Sequence, residues 1–464
     1  MLPLLASGRF DLPILLRPAP PLNPAPPDQA GSFCDLPEPP VQSRGSMKVV
    51  HVITRLILGG AQENTLLTCE GLQRRGHEVV LITGPALGPE GQLFDRARRG
   101  GYRVLELNCL RRAINPVHDL PGYLQLKRLL RELDPDIVHT HSAKGGVLGR
   151  WAAWALRQEA AQACCGAARR FKAAQVAACG RPRIIHTIHG LAFHPYQSAA
   201  LNRFYIAIER AAARRTDVFL SVADAMTRQA LAAGIGRPAQ FVRVFSGLET
   251  RPFLEPPSPE RIAQVRGELG IPADTMVIVT VARLFHLKGH EYILESARRL
   301  AGRFPQAVWL WVGDGLLRER LERQIAGAGL AERFRLTGLV PPERAAELLH
   351  AGDVLVHASL REGLARVLPQ ALLAGKAVVS FDVDGTREVV THERTGLLVG
   401  PRDVEGLTEA QARLLADEEL RRRLGQAGRD FCREEFDHER MLDRILQVYQ
   451  QQAALLPLQG GLRS

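Results

Sequence analysis

Val354-Leu355-Val356-His357-Ala358-Ser359 is followed by Glu362-Gly363-Leu364-Ala365-Arg366-Val367-Leu368-Pro369-Gln370-Ala371-Leu372, and then by Ala377-Val378-Val379-Ser380-Phe381. An apolar strand stops at small and polar residues, an acid and a glycine come next, and a helix-like run leads into a second apolar strand. Near-continuous Val/Ile/Leu strands joined through helices belong to parallel sheets covered on both faces. The pattern puts Glu362 at the carboxyl edge of a strand, with backbone N–H groups just after it. In open α/β sheets ligands bind at that edge, and helix N-termini there suit phosphates. Gln370, eight residues on, would return to the same helix face about two turns later.

The same alternation extends in both directions. Strands are expected at Val49–Ile53, Val79–Thr83, Val104–Leu107, Ile137–Thr140, Ile184–Ile188, Val218–Val222 and Phe241–Phe245. A second series runs Val277–Val281, Val308–Val312, Phe334–Thr337, Val354–Val356, Ala377–Phe381 and Leu397–Val399. Two series of ordinary domain length predict an α/β chain of two doubly wound, Rossmann-like domains facing across a cleft. The expected boundaries are 47–250 for the first domain, 251–272 for a Pro-dense linker without regular structure, and 273–436 for the second. A helix and tail complete the chain over 437–464, its helix carrying apolar Met441, Leu442, Ile445, Leu446 and Val448. An Ala-rich insertion at about 158–182 reads as an added surface helix. Residues 1–46, Pro-rich and broken by charge, read as a disordered extension or as an upstream start before a natural beginning at Met47.

Composition narrows the function. The chain has 464 residues, 46% of them hydrophobic, which is ample for two cores. No run of about 18 apolar residues exists to cross a membrane. Seven cysteines form no CxxC pair and lack histidines at ligand spacing, as expected of reduced thiols in a cytosolic protein without a metal site. Residues 47–250 carry 28 Lys and Arg against 15 Asp and Glu, while the rest of the chain is near neutral. A codon bias toward Arg accounts for that excess as well as an anionic partner does, such as a lipid headgroup or phosphorylated lipid at a membrane face. Nucleic acid is disfavoured, because no basic patch is interleaved with aromatics.

Four constellations sit at strand–helix turns. Gly59-Gly60 follows the first strand and lets the backbone approach a ligand at a helix start. It lacks the GxGxxG spacing, which argues against NAD or FAD. His139-Thr140-His141 and His186-Thr187-Ile188-His189-Gly190 end two further strands; most histidines are structural, but His189 beside a glycine at a strand end suits a site. Arg283 and Lys288 lie five residues apart in one loop and could grip adjacent phosphates, where the bland alternative is a solvated pair. Gly313 flanks an acid at another strand end. Glu362, with Gly363 and Leu364, completes the set, its carboxylate able to accept sugar hydroxyls.

In this order the motifs resemble the retaining GT-B glycosyltransferases of family 4 (glycosyl transferases group 1), over about residues 47–450. The resemblance implies that Gly59 and Gly60 lie near the donor phosphates and acceptor, and that His189 touches the donor sugar. It implies that Arg283 and Lys288 bind the diphosphate, with Ala282 in place of a usual glycine. Glu362 is the first acid of the E-x7-E motif and faces the sugar, while N–H groups after it, at Gly363 and Leu364, face phosphate. The second acid, which would accept ribose hydroxyls, is Gln370 here; an amide accepts without the charge-assisted part. Ser246-Gly247-Leu248-Glu249 and the 158–182 insertion also depart from the family. A nucleotide-sugar donor (UDP- or GDP-linked), no tightly bound cofactor and no metal are implied. So is a lipid-linked or glycan acceptor in cell-envelope or exopolysaccharide synthesis; the basic first domain leans toward a cytoplasmic protein that can work at the inner face of the membrane. Two alternatives stay open: a nucleotide-sugar 2-epimerase on the same fold, and a catalytically silent partner subunit.

Overall fold

The computed structural model describes residues 45–85, 92–167 and 180–455, the side chains of 163–167 excepted. The reading of 1–46 as an extension thus lies outside the described residues, apart from its last two.

Among the described residues thirteen strands form two sheets. The first contains β1 (Lys48–Ile53), β2 (Glu78–Thr83), β3 (Arg103–Glu106), β4 (Ile137–His141), β5 (Arg183–Ile188), β6 (Val218–Ser221) and β7 (Phe241–Arg243). Its order is β3-β2-β1-β4-β5-β6-β7. The second contains β8 (Val277–Val281), β9 (Val308–Val312), β10 (Phe334–Leu336), β11 (Val354–His357), β12 (Ala377–Phe381) and β13 (Leu397–Val399), in the order β10-β9-β8-β11-β12-β13. Every pairing is parallel. Each sheet reverses its strand order beside its first strand, between β1 and β4 and between β8 and β11. At such a switch point the flanking loops diverge and leave a crevice at the carboxyl ends. The Gly59-Gly60 turn after β1, His189 after β5, the Arg283–Lys288 loop after β8 and Glu362 after β11 all lie at those ends.

Two sequence expectations change. The Pro-dense 251–272 segment is largely helical, with helices at Arg251–Leu254 and Pro259–Glu268. Pro252 and Pro259 occupy first-turn positions, where a missing N–H costs nothing, and Ser258 caps the longer helix. The Ala-rich stretch from 158 is no separate helix as far as it is described. It prolongs the helix Ala143–Ala167 that begins after β4, and 168–179 fall outside the described residues.

The last helix, His438–Ala454, returns to the first sheet. Its buried Met441, Leu442, Ile445 and Tyr449 share one core with Val49, Leu66, Leu72 and Leu81. The crossing is fixed by backbone bonds in which Leu248 N–H donates to Phe436 O at 2.8 Å and His438 N–H to Leu248 O at 3.1 Å. The first domain is therefore completed by the end of the chain. Leu442 seats its methyls where a side chain at Gly71 would otherwise stand. Leu442→Ala is expected to cost about 2–4 kcal/mol, read as a lower urea midpoint with an unchanged slope.

Candidate active site

Seven of the ten residues singled out from the sequence line one cavity of about 380 Å³ between the two sheets: Gly59, Gly60, His189, Glu362, Gly363, Leu364 and Gln370. Lys288 joins them through Glu362, its Nζ 2.5 Å from Oε1. Arg283 does not reach the cavity wall; it is exposed and lies over the Phe285 ring at 5.0 Å. Gly313 does not line the cavity either. A Cβ there would overlap the carbonyl oxygen of Ala282, so it lets the loops after β8 and β9 close on each other.

Glu362 and Gln370 meet for a reason other than shared helix phase. The helix is short, Val367–Leu373, and carries only Gln370. Glu362 stands in the loop ahead of it, and the loop turns the carboxylate back toward Lys288. The Glu362 backbone N–H is already engaged, donating to Asp384 Oδ2 at 2.7 Å. Asp384 also accepts from Gln229 Nε2 of the first domain at 2.7 Å through Oδ1. The turn Asp382–Asp384 thus braces the site. Sequence reasoning missed it because the brace depends on residues 22 and 155 positions away.

The electrostatics of Glu362 are a contest. Burial alone would push its carboxyl up, but the Lys288 ammonium and the His357 imidazole, with Nε2 at 3.5 Å, overturn this and hold it well below the carboxylate range. It is an anion at every physiological pH. His189 goes the other way: burial, then the Arg366 guanidinium, take it down to about 3, so it is neutral.

Arg366 carried no role in the sequence. Its Nη1 donates to Gly60 O at 2.9 Å and its Nη2 pairs with Glu63 at 3.1 Å, so it ties the second domain to the helix start of the first. Gly60 is needed for that contact, since a Cβ would come within 2.7 Å of Arg366 Cδ. Gly363 makes a second close approach across the cleft, its Cβ position overlapping the carbonyl oxygen of His189.

His51, His139 and His141 cluster behind His189 with ligand atoms within 4.8 Å of one another. Five of their six ring nitrogens are spent on His141, His51, His189, Tyr449 and Thr187, and only His51 Nε2 has no partner. A metal ion there would have to break those bonds first.

Residues 262–431 match the family model for glycosyl transferases group 1, and residues 59–246 match the glycosyl transferase 4-like domain. The chain is 25% identical, over 82% of its length and 90% of the relative's, to the UDP-Gal:alpha-D-GlcNAc-diphosphoundecaprenol alpha-1,3-galactosyltransferase of Escherichia coli. It is 34% identical to the lipopolysaccharide core biosynthesis glycosyltransferase LpsD of Rhizobium meliloti, over 40% of this chain and 52% of that protein. Among solved structures it is similar to HepE of Anabaena in complex with UDP-glucose, with a TM-score of 0.70 at 19% identity over 87% of this chain and all of that one. The two family matches fall on the two halves that meet at this cavity, and the chain is a GT-B glycosyltransferase of the group 1 family.

Proposed function

We propose that the protein transfers a sugar from a nucleoside diphosphate donor, UDP- or GDP-linked, to a hydroxyl of a lipid-linked acceptor, with retention of anomeric configuration. The supporting observation for retention is the state of the carboxylates lining the cavity. Inversion needs a free general base opposite the leaving group. Glu362 is held by Lys288, and Glu63 by Arg366. With neither poised to take a proton, the departing diphosphate is the remaining acceptor for it, on the same face as the attacking hydroxyl. Lys288, which joins the cavity through Glu362, carries the leaving charge and stabilises the transition state electrostatically; Arg283, one loop turn away and off the wall, contributes only if its exposed side chain swings in when the donor binds. Gly59, Gly60, Gly363 and Leu364 let donor and backbone approach, His189 and Glu362 face the sugar, and Gln370 faces the ribose.

The acceptor reading rests on a larger neighbouring cavity of about 520 Å³, on the first domain beside Arg361. Arg55, Arg112, Lys144 and Arg361 line it against only Asp119 and Glu209. Ile114 of its lining is exposed, and the two helices that give it Asp119, Tyr205 and Glu209 carry further exposed apolar side chains: Val117, Leu120 and Leu124 on Pro116–Leu133, and Leu201 and Phe204 on Ala199–Ala213. Val117, Leu120 and Leu124 fall on one helix face. A cationic hollow on helices that also expose apolar side chains suits a phosphate headgroup with its hydrocarbon chain in a bilayer, and supports work at the inner face of a cell membrane on cell-envelope glycans. No described helix is long and apolar enough to cross one.

Incubation with UDP- and GDP-sugars and a polyprenyl-diphosphate sugar in vesicles, with the product anomer read by NMR, tests both parts. Retained configuration is expected; an inverted anomer overturns the mechanism, and equal transfer to a soluble glycan overturns the acceptor. Gln370→Glu, by restoring a charged acceptor, is expected to tighten donor nucleotide binding about fivefold to tenfold. Calorimetric titration with UDP and GDP checks this, and unchanged or weaker affinity would remove Gln370 from the ribose site.

A further inference from the structure

A file of imidazoles runs from inside the first sheet to the cavity. His51 on β1 is in register with His139 on β4, and His141, two residues on, shares the same face. His51 Nδ1 lies 3.0 Å from His141 Nε2, and His141 Nδ1 lies 3.1 Å from His189 Nε2. The rings stack along the file, with centroids 5.3 and 5.4 Å apart and interplanar angles of 15° and 28°. His139 stands aside, its nitrogens bonded to Tyr449 and Thr187 at 2.6 and 2.7 Å. Burial leaves the file neutral, taking His51 as well as His189 to about 3 and His141 well below the ordinary value.

A neutral imidazole has one N–H and one lone pair, so the bonds of the file must all point the same way. If His51 donates from Nδ1, His141 accepts at Nε2 and donates from Nδ1, and His189 accepts at Nε2 and carries its own proton on Nδ1. If the direction reverses, His189 donates from Nε2 and its Nδ1 is bare, while His51 must carry a proton on Nε2. That atom is buried without a partner. The reversed file therefore buries an N–H with no acceptor, and the forward file leaves only a lone pair there. An orphaned buried N–H is the rarer and costlier of the two.

We propose that His141 and His51 are positioning residues that hold His189 in its Nδ1–H tautomer, so that it presents an N–H donor to the sugar oxygens of the donor. Its use in catalysis rests on the donor site proposed above; the tautomer itself does not. Histidine-selective 15N labelling and long-range proton–nitrogen spectra read the tautomer without turnover, with His189→Gln assigning the signal. The expected wild-type signature is a protonated Nδ1 and a bare Nε2 on His189. His51→Leu is expected to mix the two tautomers and lower kcat/KM about tenfold. His51→Asn, whose amide can donate from near the Nδ1 position, is expected to recover most of it. An Nε2–H tautomer in the wild type, or an unchanged His189 signal in a folded His51→Leu protein, would overturn the proposal. Should His51→Leu not fold, the wild-type spectrum still decides. Absence of transfer by the wild type with every donor would sink the donor-site reading and leave the tautomer result standing.

Discussion

Glu362→Ala is expected to lower the rate of transfer by about three orders of magnitude or more, measured with a radiolabelled nucleotide sugar on protein shown to be folded. The substitution removes an anion from a site built around it. Lys288 Nζ sits 2.5 Å from one carboxylate oxygen and His357 Nε2 3.5 Å from it. Without the carboxylate the ammonium is left half-buried and uncompensated, and the sugar hydroxyls lose their acceptor. Glu362→Gln separates the two effects, keeping shape and hydrogen bonds while losing charge.

The same pair predicts a pH dependence of stability. A carboxyl whose folded pKa is depressed contributes stability that is fully present above its unfolded pKa, about 4.3, and is lost as pH falls toward the folded value. Relative to Glu362→Gln, the wild type should thus keep a constant difference in urea midpoint between pH 6 and 8 and lose ground steadily below about pH 4. A difference independent of pH down to 3 would mean that Lys288 does not hold the carboxylate.

Gly363→Ala is expected to lower kcat/KM by about a hundredfold with little change in the thermal midpoint. Gly363 does not have positive φ, so alanine can adopt its backbone conformation. What it cannot do is fit: its Cβ would overlap the carbonyl oxygen of His189 and lie 2.8 Å from the carbonyl carbon. That carbonyl is backbone at the end of β5, beside a ring bonded to His141, so it has little room to retreat. Relief comes from parting the two domains, each of which keeps its own sheet, and parting them misaligns sugar and diphosphate. Gly60→Ala is the internal comparison. Its obstacle is the side chain of Arg366, at 2.7 Å, which can swing away. A Gly363→Ala enzyme as active as the wild type would mean that this approach is not part of the working geometry.

Much of the molecule was legible before any coordinates. All thirteen strands among the described residues lie within a residue or two of where apolar runs of three to five residues place them. A strand buried on both faces has to be apolar throughout, so it announces itself locally. The failures came where a local rule met a local exception or a distant partner. Pro252 and Pro259 signalled a linker, but proline at the first turn starts a helix. Arg366 carried no role in the sequence, because its partners Gly60 and Glu63 stand about 300 residues earlier. Asp384 carries no site signal in the sequence, and only the fold brings the Glu362 amide onto it.

The sequence by itself determined two parallel sheets, the family, and most of the residues at the strand ends, because strand period, turn glycines and motif order are written within a few residues of each other. Only the tertiary structure decided which of them share a cavity. It kept Arg283 and Gly313 off the wall, joined Lys288 to Glu362, and lined up His51 of β1, His141 of β4 and His189 just past β5. Those outcomes depend on ångström-scale distances across a cleft between chain segments far apart in sequence, and no local pattern records them.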